Sequence, residues 1–221
     1  MWWCRWVALA SIGLAMVGCA TSRSEIKLEP QKASAAESAG AAATRGTVVI
    51  RSVIDERTFQ EAPSDPSIPS LGFGGAAAAT ADVKARAIGR KRGGFGKAFG
   101  DVLLEDGQTV VGVVRDAAAA AFRDAGFAVV DGGNEGSSTA VPVDVHIKQC
   151  WAWFNPGFWS ITLSANVETD VNVGSAPALA VLTHSEDSRQ MATDSAWMEI
   201  IAKGLEDYRA NLAAKLKALP Q

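Results

Sequence analysis

The sequence predicts an α+β domain: an antiparallel-rich sheet of about five strands with two helices packed on one face. Three observations predict it. Residues 141–153 and 159–173 alternate apolar and polar positions with period two, as half-wet strands do. Near the C-terminus, Trp197, Ile201, Leu205, Tyr208, Leu212, Leu216 and Leu219 recur at spacings of 4, 4, 3, 4, 4 and 3. A shorter helical stripe runs through Val110, Val114, Ala117, Ala121 and Ala125, and Gly126 stops it.

Each element follows in chain order. Residues 20–45 are rich in Ser, Ala and Glu, lack an apolar period and read as a flexible tether. Within them, residues 25–30 alternate like a short edge strand. The β-branched run 47–54 is the first strand of the domain, ended by Asp55. Residues 57–106 read as irregular, broken by Pro63, Pro66, Pro69, Gly72, Gly74 and Gly75. So long a structureless stretch in a compact domain is functional or mobile.

The first helix is expected over 107–125 and a strand over 127–131, ended by Gly132 and Gly133. In the hairpin, odd positions of both arms are apolar and Asn155-Pro156-Gly157 make the turn. Odd-to-odd pairing needs a three-residue loop, with Trp153 opposite Trp159 and Trp151 opposite Ile161. Pro156 strains that loop, because it pushes Asn155 away from the helical region. Residues 178–186 give one more strand, and Thr193-Asp194-Ser195 cap the final helix.

The N-terminus carries the plainest targeting signal. Arg5 and the α-amine precede an apolar run from residue 6 to 18. That run is too short to cross a bilayer, which takes ~20 residues. It ends Met16-Val17-Gly18-Cys19, small residues before a Cys, which resembles a bacterial lipobox. In such proteins the Cys is acylated and becomes the new N-terminus. The expected layout is a signal peptide over 1–18, lipidated Cys19 and tether over 19–45, and one domain over 46–221. An ordinary secretory signal and an uncleaved anchor are the competing readings.

Composition narrows the partners. Hydrophobic residues make up 48% of the chain, but 40 of its 221 residues are Ala, which adds little buried area. Without Arg5, 20 basic residues face 24 acidic ones, a net charge of −4, which argues against nucleic acid. Loss of Cys4 and acylation of Cys19 leave Cys150 alone, so no intrachain disulfide forms.

No motif points to chemistry. Gly93-Gly94-Phe95-Gly96-Lys97 suggests a phosphate loop, but Lys91 and Arg92 stand in the region of its first glycine, and Ala98 replaces the magnesium-binding Ser or Thr. His146 and Cys150 share a strand but lie ~13 Å apart, too far for one metal. No catalytic constellation, metal site or cofactor site is expected. Contact surfaces are the better candidates. Arg86, Arg90, Lys91, Arg92 and Lys97 form the dense basic cluster, read as a solvated glycine-rich loop that contacts an anionic surface or partner. At the hairpin tip, Trp151, Trp153 and Trp159 should bury against a helix, while Phe154 and Phe158 fall on the other face as an exposed contact.

The layout resembles the YajG-like family of small Gram-negative lipoproteins. The matching features are the lipobox at Cys19, Ile26-Lys27-Leu28-Glu29-Pro30, and a first strand ending Asp55-Glu56-Arg57. They continue with Ile88 to Gly96 and with Val114 to Phe127 leading into a strand. Gly93 departs from the Asn often found there, and residues 60–80 look inserted. The resemblance implies an envelope lipoprotein without established catalytic residues. The expectation is therefore a non-enzymatic, membrane-anchored binding or scaffolding module, held by its lipid in the outer membrane and facing the periplasm. Its partner would be another envelope protein or peptidoglycan. An accessory lipoprotein of a flagellar or transport assembly is the alternative, and an enzyme the remote one.

Overall fold

Apolar periodicity sets most of the elements. The computed structural model describes residues 23–31, 45–72, 74–92, 98–130 and 139–219. The order is β1 (Ser24–Ile26), β2 (Thr47–Asp55), α1 (Gly75–Ala78), α2 (Ala81–Arg86), β3 (Ala87–Arg92), β4 (Ala98–Leu104) and α3 (Val110–Asp124). There follow β5 (Ala128–Val130), β6 (Val141–Pro156), β7 (Ile161–Val173), β8 (Leu179–Arg189) and α4 (Asp194–Lys217). Both expected helices form, α3 starting at Val110 and not at residue 107, and the cap expected at Thr193 forms. Thr109 and Thr193 accept hydrogen bonds from the amides of Gly112 and Ala196.

The sheet differs from the expectation. Among the described residues it has eight strands and is mixed, with four helices around it. β1–β4, β2–β5, β2–β6 and β3–β6 pair parallel. β3–β4, β6–β7 and β7–β8 pair antiparallel. The five-stranded, antiparallel-rich sheet with two helices is therefore overturned. The cause lies in residues 57–106, which hold α1, α2, β3 and β4 in place of irregular chain. β4, α3 and β5 supply the crossover that the parallel pairing of β3 with β6 requires. The alternation in residues 25–30 becomes the edge strand β1, inside the stretch read as tether.

β6 is the spine. One edge pairs with β7 from Val143 to Pro156. The other edge pairs with β2 as far as Ile147 and then with β3 at Ala152, so the sheet forks. Gly89 makes the β3 contact possible, since a Cβ there would lie 2.8 Å from the Ala152 carbonyl.

Arg57 fills the fork. Its side chain is fully buried and paired with Asp55 at 2.7 Å. Nε and Nη2 donate to the Asp55 carboxylate, Nη1 to the carbonyls of Ala87 and Cys150, and Nη2 to that of Lys84.

A register shift between Ile147 and Gln149 leaves Lys148 unpaired as a bulge. Val143, Val145 and Ile147 face the main core before it, and Cys150 and Ala152 do so after it. Trp151 and Trp153 thereby turn to the opposite face. There they pack with Leu71, Ala76, Ala87 and Leu103, beneath Phe59, Ala79 and Val83. Odd positions face odd ones only from Val143 to Ile147, and there four residues out of the expected register; from Gln149 to the tip the odd-to-odd pairing is lost, with Trp151 opposite Asn166, Trp153 opposite Ser164 and Pro156 opposite Ile161. The tryptophans are buried by the proline-rich segment and the short helices α1 and α2 that follow it, not by α3 or α4. α3 and α4 cover the other face, and Trp197, Tyr208 and Leu212 are fully buried there.

Replacing Arg57 by Met should cost about 3–5 kcal/mol or prevent folding, because Asp55 and three carbonyls lose their partner. Leu212→Asp should be comparably severe through an unpaired buried charge. Lys203→Ala, on the exposed face of α4, should stay within about 0.5 kcal/mol. Urea midpoints of the three variants check this, and equal midpoints would refute the packing described.

Candidate functional site

Strand registers bring several sequence-singled residues to one end of the sheet. Ser24 pairs with Val102, Val102 with Gly89, and Gly89 with Ala152. β1 starts, β3 finishes and β6 turns into β7 at this end. Arg90, Lys91 and Arg92 lie here, but as strand and not as a solvated loop, whereas Arg86 ends α2 and pairs with Glu25 and Asp82 at the other end of β3. Arg90 Nη1 donates to Ser70 Oγ at 3.0 Å. Arg92 is buried, and donates to the Pro63 carbonyl and Ser70 Oγ. Burial, then the neighbouring Arg90, pull its pKa below the ordinary range. Lys91 bonds Ser24 Oγ and sits 3.5 Å from Asp194. These cations hold β1, β3, α4 and the proline-rich segment together. Lys97 and Cys19 lie outside the described residues.

The aromatic residues part company. Phe154 is half-buried, edge-on to Trp197 with ring centroids 6.1 Å apart, because the bulge turns it toward the helices. It is not the exposed contact expected from its even number. Phe158 and Trp159, in the loop between β6 and β7, are 89% and 83% exposed. Their rings meet edge to face at 4.8 Å. The core position expected for Trp159 is not the one found: it lies beyond the last β6–β7 pair and is exposed. Met191, 69% exposed, follows β8, whose last residue Arg189 pairs with Ile161. No sequence period marked Met191, because it lies in a loop.

A cleft of ≈ 310 Å³ lies toward the opposite end, between α3, β2, β5 and the segment after β1. Gln31, Arg115, Asp116 and Arg123 are among its polar groups, and Ile50, Val129 and Val130 among its apolar ones. Burial raises the Asp116 pKa, and the two arginines oppose that. The volume sits at the lower limit for small-molecule sites. No hydroxyl, thiol or imidazole lines it among the described residues.

The remaining polar clusters are structural in geometry. Glu56 accepts from Lys148 and His146, which hold its carboxyl below the usual range. Among the described residues no three His, Cys, Asp or Glu side chains could share a metal ion. No described helix is long and apolar enough to cross a membrane.

Neither a family model nor a curated protein matches this chain. Solved structures resemble it loosely. One is described only as an uncharacterised protein, at 11% identity and TM-score 0.43, covering 89% of this chain and 98% of that one. Another is a Xanthomonas campestris protein of family DUF330, at 9% identity and TM-score 0.35, covering 88% of this chain and 89% of that one. Neither carries the YajG-like name.

Cys150 is free, buried, and its thiol is pushed up to about 11, first by burial. The raised value means the folded state holds its proton more tightly than the unfolded chain. Stability should be indifferent to this group below pH 9.0 and fall as pH rises from 9.0 toward 11. In native protein at neutral pH the thiol should resist a disulfide reagent, and react promptly once urea unfolds the chain. Fast native labelling would show that the β6 core opens.

Proposed function

We propose that this chain is a non-enzymatic, lipid-anchored envelope protein whose domain acts as a binding or scaffolding module. One observation carries the reading. Cys19, in its lipobox-like setting, stands four residues before Arg23, and Arg23 is fixed to the buried Asp101 at 3.1 Å beside β1. A lipid at Cys19 therefore leads almost directly into the sheet. The motif likeness to YajG-like lipoproteins supports the same reading. Ala20, in place of Asp, favours the outer membrane by analogy with enteric sorting. The cleft beside α3 and the aromatic loop offer surfaces for a partner.

Cys19→Ser tests the anchor. Wild type should float with outer-membrane markers on a density gradient, and the variant should appear soluble or unprocessed. Acyl groups add ~0.8 kcal/mol per buried CH₂, so two or more chains anchor stably. Unchanged fractionation and mobility of the variant would sink the proposal. Recovery with inner-membrane markers alone would overturn the outer-membrane assignment.

A further inference from the structure

We infer that the Phe158–Trp159 loop, with Met191 beside it, inserts into the surface of the bilayer that carries the protein's own lipid. The inference rests on the lipid anchor proposed above, and adds an orientation and a second membrane contact. Its occupant is a lipid surface, chosen for three reasons.

The first is where the chain leads. From Cys19 to Arg23 the backbone spans at most about 14 Å, so a lipidated Cys19 keeps the start of β1 close to the bilayer. The strand registers place Ser24 level with Ala152 on β6. From Ala152 to Pro156 the strand climbs about 13 Å, toward the same end at which β1 starts. The loop therefore projects to about the depth that Cys19 can reach.

The second is the chemistry of the loop. From Gln149 to Val167 there is no charged residue, so the tip has no ion to desolvate. Two aromatic rings at its apex are 89% and 83% exposed, and Met191 adds a third apolar side chain at 69%. Exposed large apolar side chains elsewhere, Ile54, Val141, Leu182 and Met198, stand singly on β2, β6, β8 and α4. Tryptophan is the residue that favours the water–lipid boundary, where its ring is buried and its N–H stays wet.

The third is the state of the neighbouring cations. Lys91 is bound to Asp194, Arg23 to Asp101, and Arg189 to Asp187 and Glu199, while Arg90 and Arg92 are turned inward onto Ser70. The described residues at this end therefore attract the membrane by apolar burial and not by charge, and salt should matter little.

The test uses the full chain, purified after expression and reconstituted in phosphatidylethanolamine/phosphatidylglycerol vesicles with or without brominated acyl chains. Of the tryptophans in the described residues, Trp151, Trp153 and Trp197 are buried. The emission lost in Trp159→Phe therefore reports the loop. We expect that emission to fall at least twofold in brominated vesicles, to be shielded from aqueous iodide, and to keep both properties at high salt. Phe158→Ser/Trp159→Ser should unfold at the wild-type temperature and lose the signal. Mass analysis of the Cys19 peptide separates the two readings. Quenching with lipid present supports both. Quenching without it supports the loop and removes the anchor. A lipidated protein whose Trp159 is iodide-accessible and unquenched by bromine overturns the inference and leaves the anchor standing. Iodide shielding without bromine quenching would assign the loop to contact with a second copy of the chain, and abolition by salt would assign it to charge; both overturn it.

Discussion

The architecture depends on one buried guanidinium. β6 changes partner along one edge, from β2 to β3, and that change would leave backbone carbonyls without donors. Arg57 supplies them. Its five N–H groups meet the Asp55 carboxylate and the carbonyls of Lys84, Ala87 and Cys150. A buried charge costs several kcal/mol in desolvation, which is offset only when its hydrogen-bonding capacity is filled. Lysine has three donors at a single point and could not span these acceptors, whereas the planar fork can. Sequence-distant segments are thereby fixed at one point: the end of β2, the junction of α2 with β3, and the middle of β6.

The second core follows from that fixture. Phe59 lies under the guanidinium at 5.3 Å and edge-on to Trp151 at 6.1 Å. The proline-rich chain is thus laid on the sheet from its first residues. Prolines donate no backbone N–H but leave free carbonyls, and β-strand side chains use them. Trp151 Nε1 donates to Pro66, Gln149 Nε2 to Ser67, and Arg92 to Pro63. A segment without regular backbone pairing can cover a sheet face on these terms. The inward-turned arginines of β3 are part of that cover, which is why a dense basic run yields little free positive surface among the described residues.

Periodicity made some of this legible and hid the rest. α4 was readable because one face of it is wet, and Trp197, Ile201, Leu205, Tyr208, Leu212 and Leu216 are all buried as their spacing requires. α3 and β7 were readable for the same reason, and β2 and β5 as apolar runs closed by Asp55 and by Gly132 and Gly133. β3 and β4 were not. Ile88 and Val102 point to one core while Ala87 and Leu103 point to the other, so neither strand alternates. Glycines and cations in β3 then imitate a loop. Parallel pairing could not be foreseen once those strands were missed. Asp55-Glu56-Arg57 was visible as a motif, but its role needs the carbonyls of Ala87 and Cys150, which are distant in sequence. At the candidate site Phe158 was legible as exposed, while Phe154, Trp159 and Met191 were not.

The sorting of those aromatics traces to one residue. Without the bulge at Lys148, β6 would keep its odd positions toward the helices as far as the turn, and Trp151 and Trp153 would enter the main core. With it, Cys150, Ala152 and Phe154 take that side, and the two tryptophans need a cover of their own. The same half-step lengthens the pairing to Pro156 opposite Ile161, so the connection becomes residues 157–160 and carries Trp159 beyond the last pair. Trp151 and Trp159, eight positions apart and both odd, therefore meet opposite fates: one is 1% exposed and the other 83%. The bulge thus couples the buried tryptophans of the second core to the exposed aromatic apex, and the cover held by Arg57 is what makes the coupling affordable.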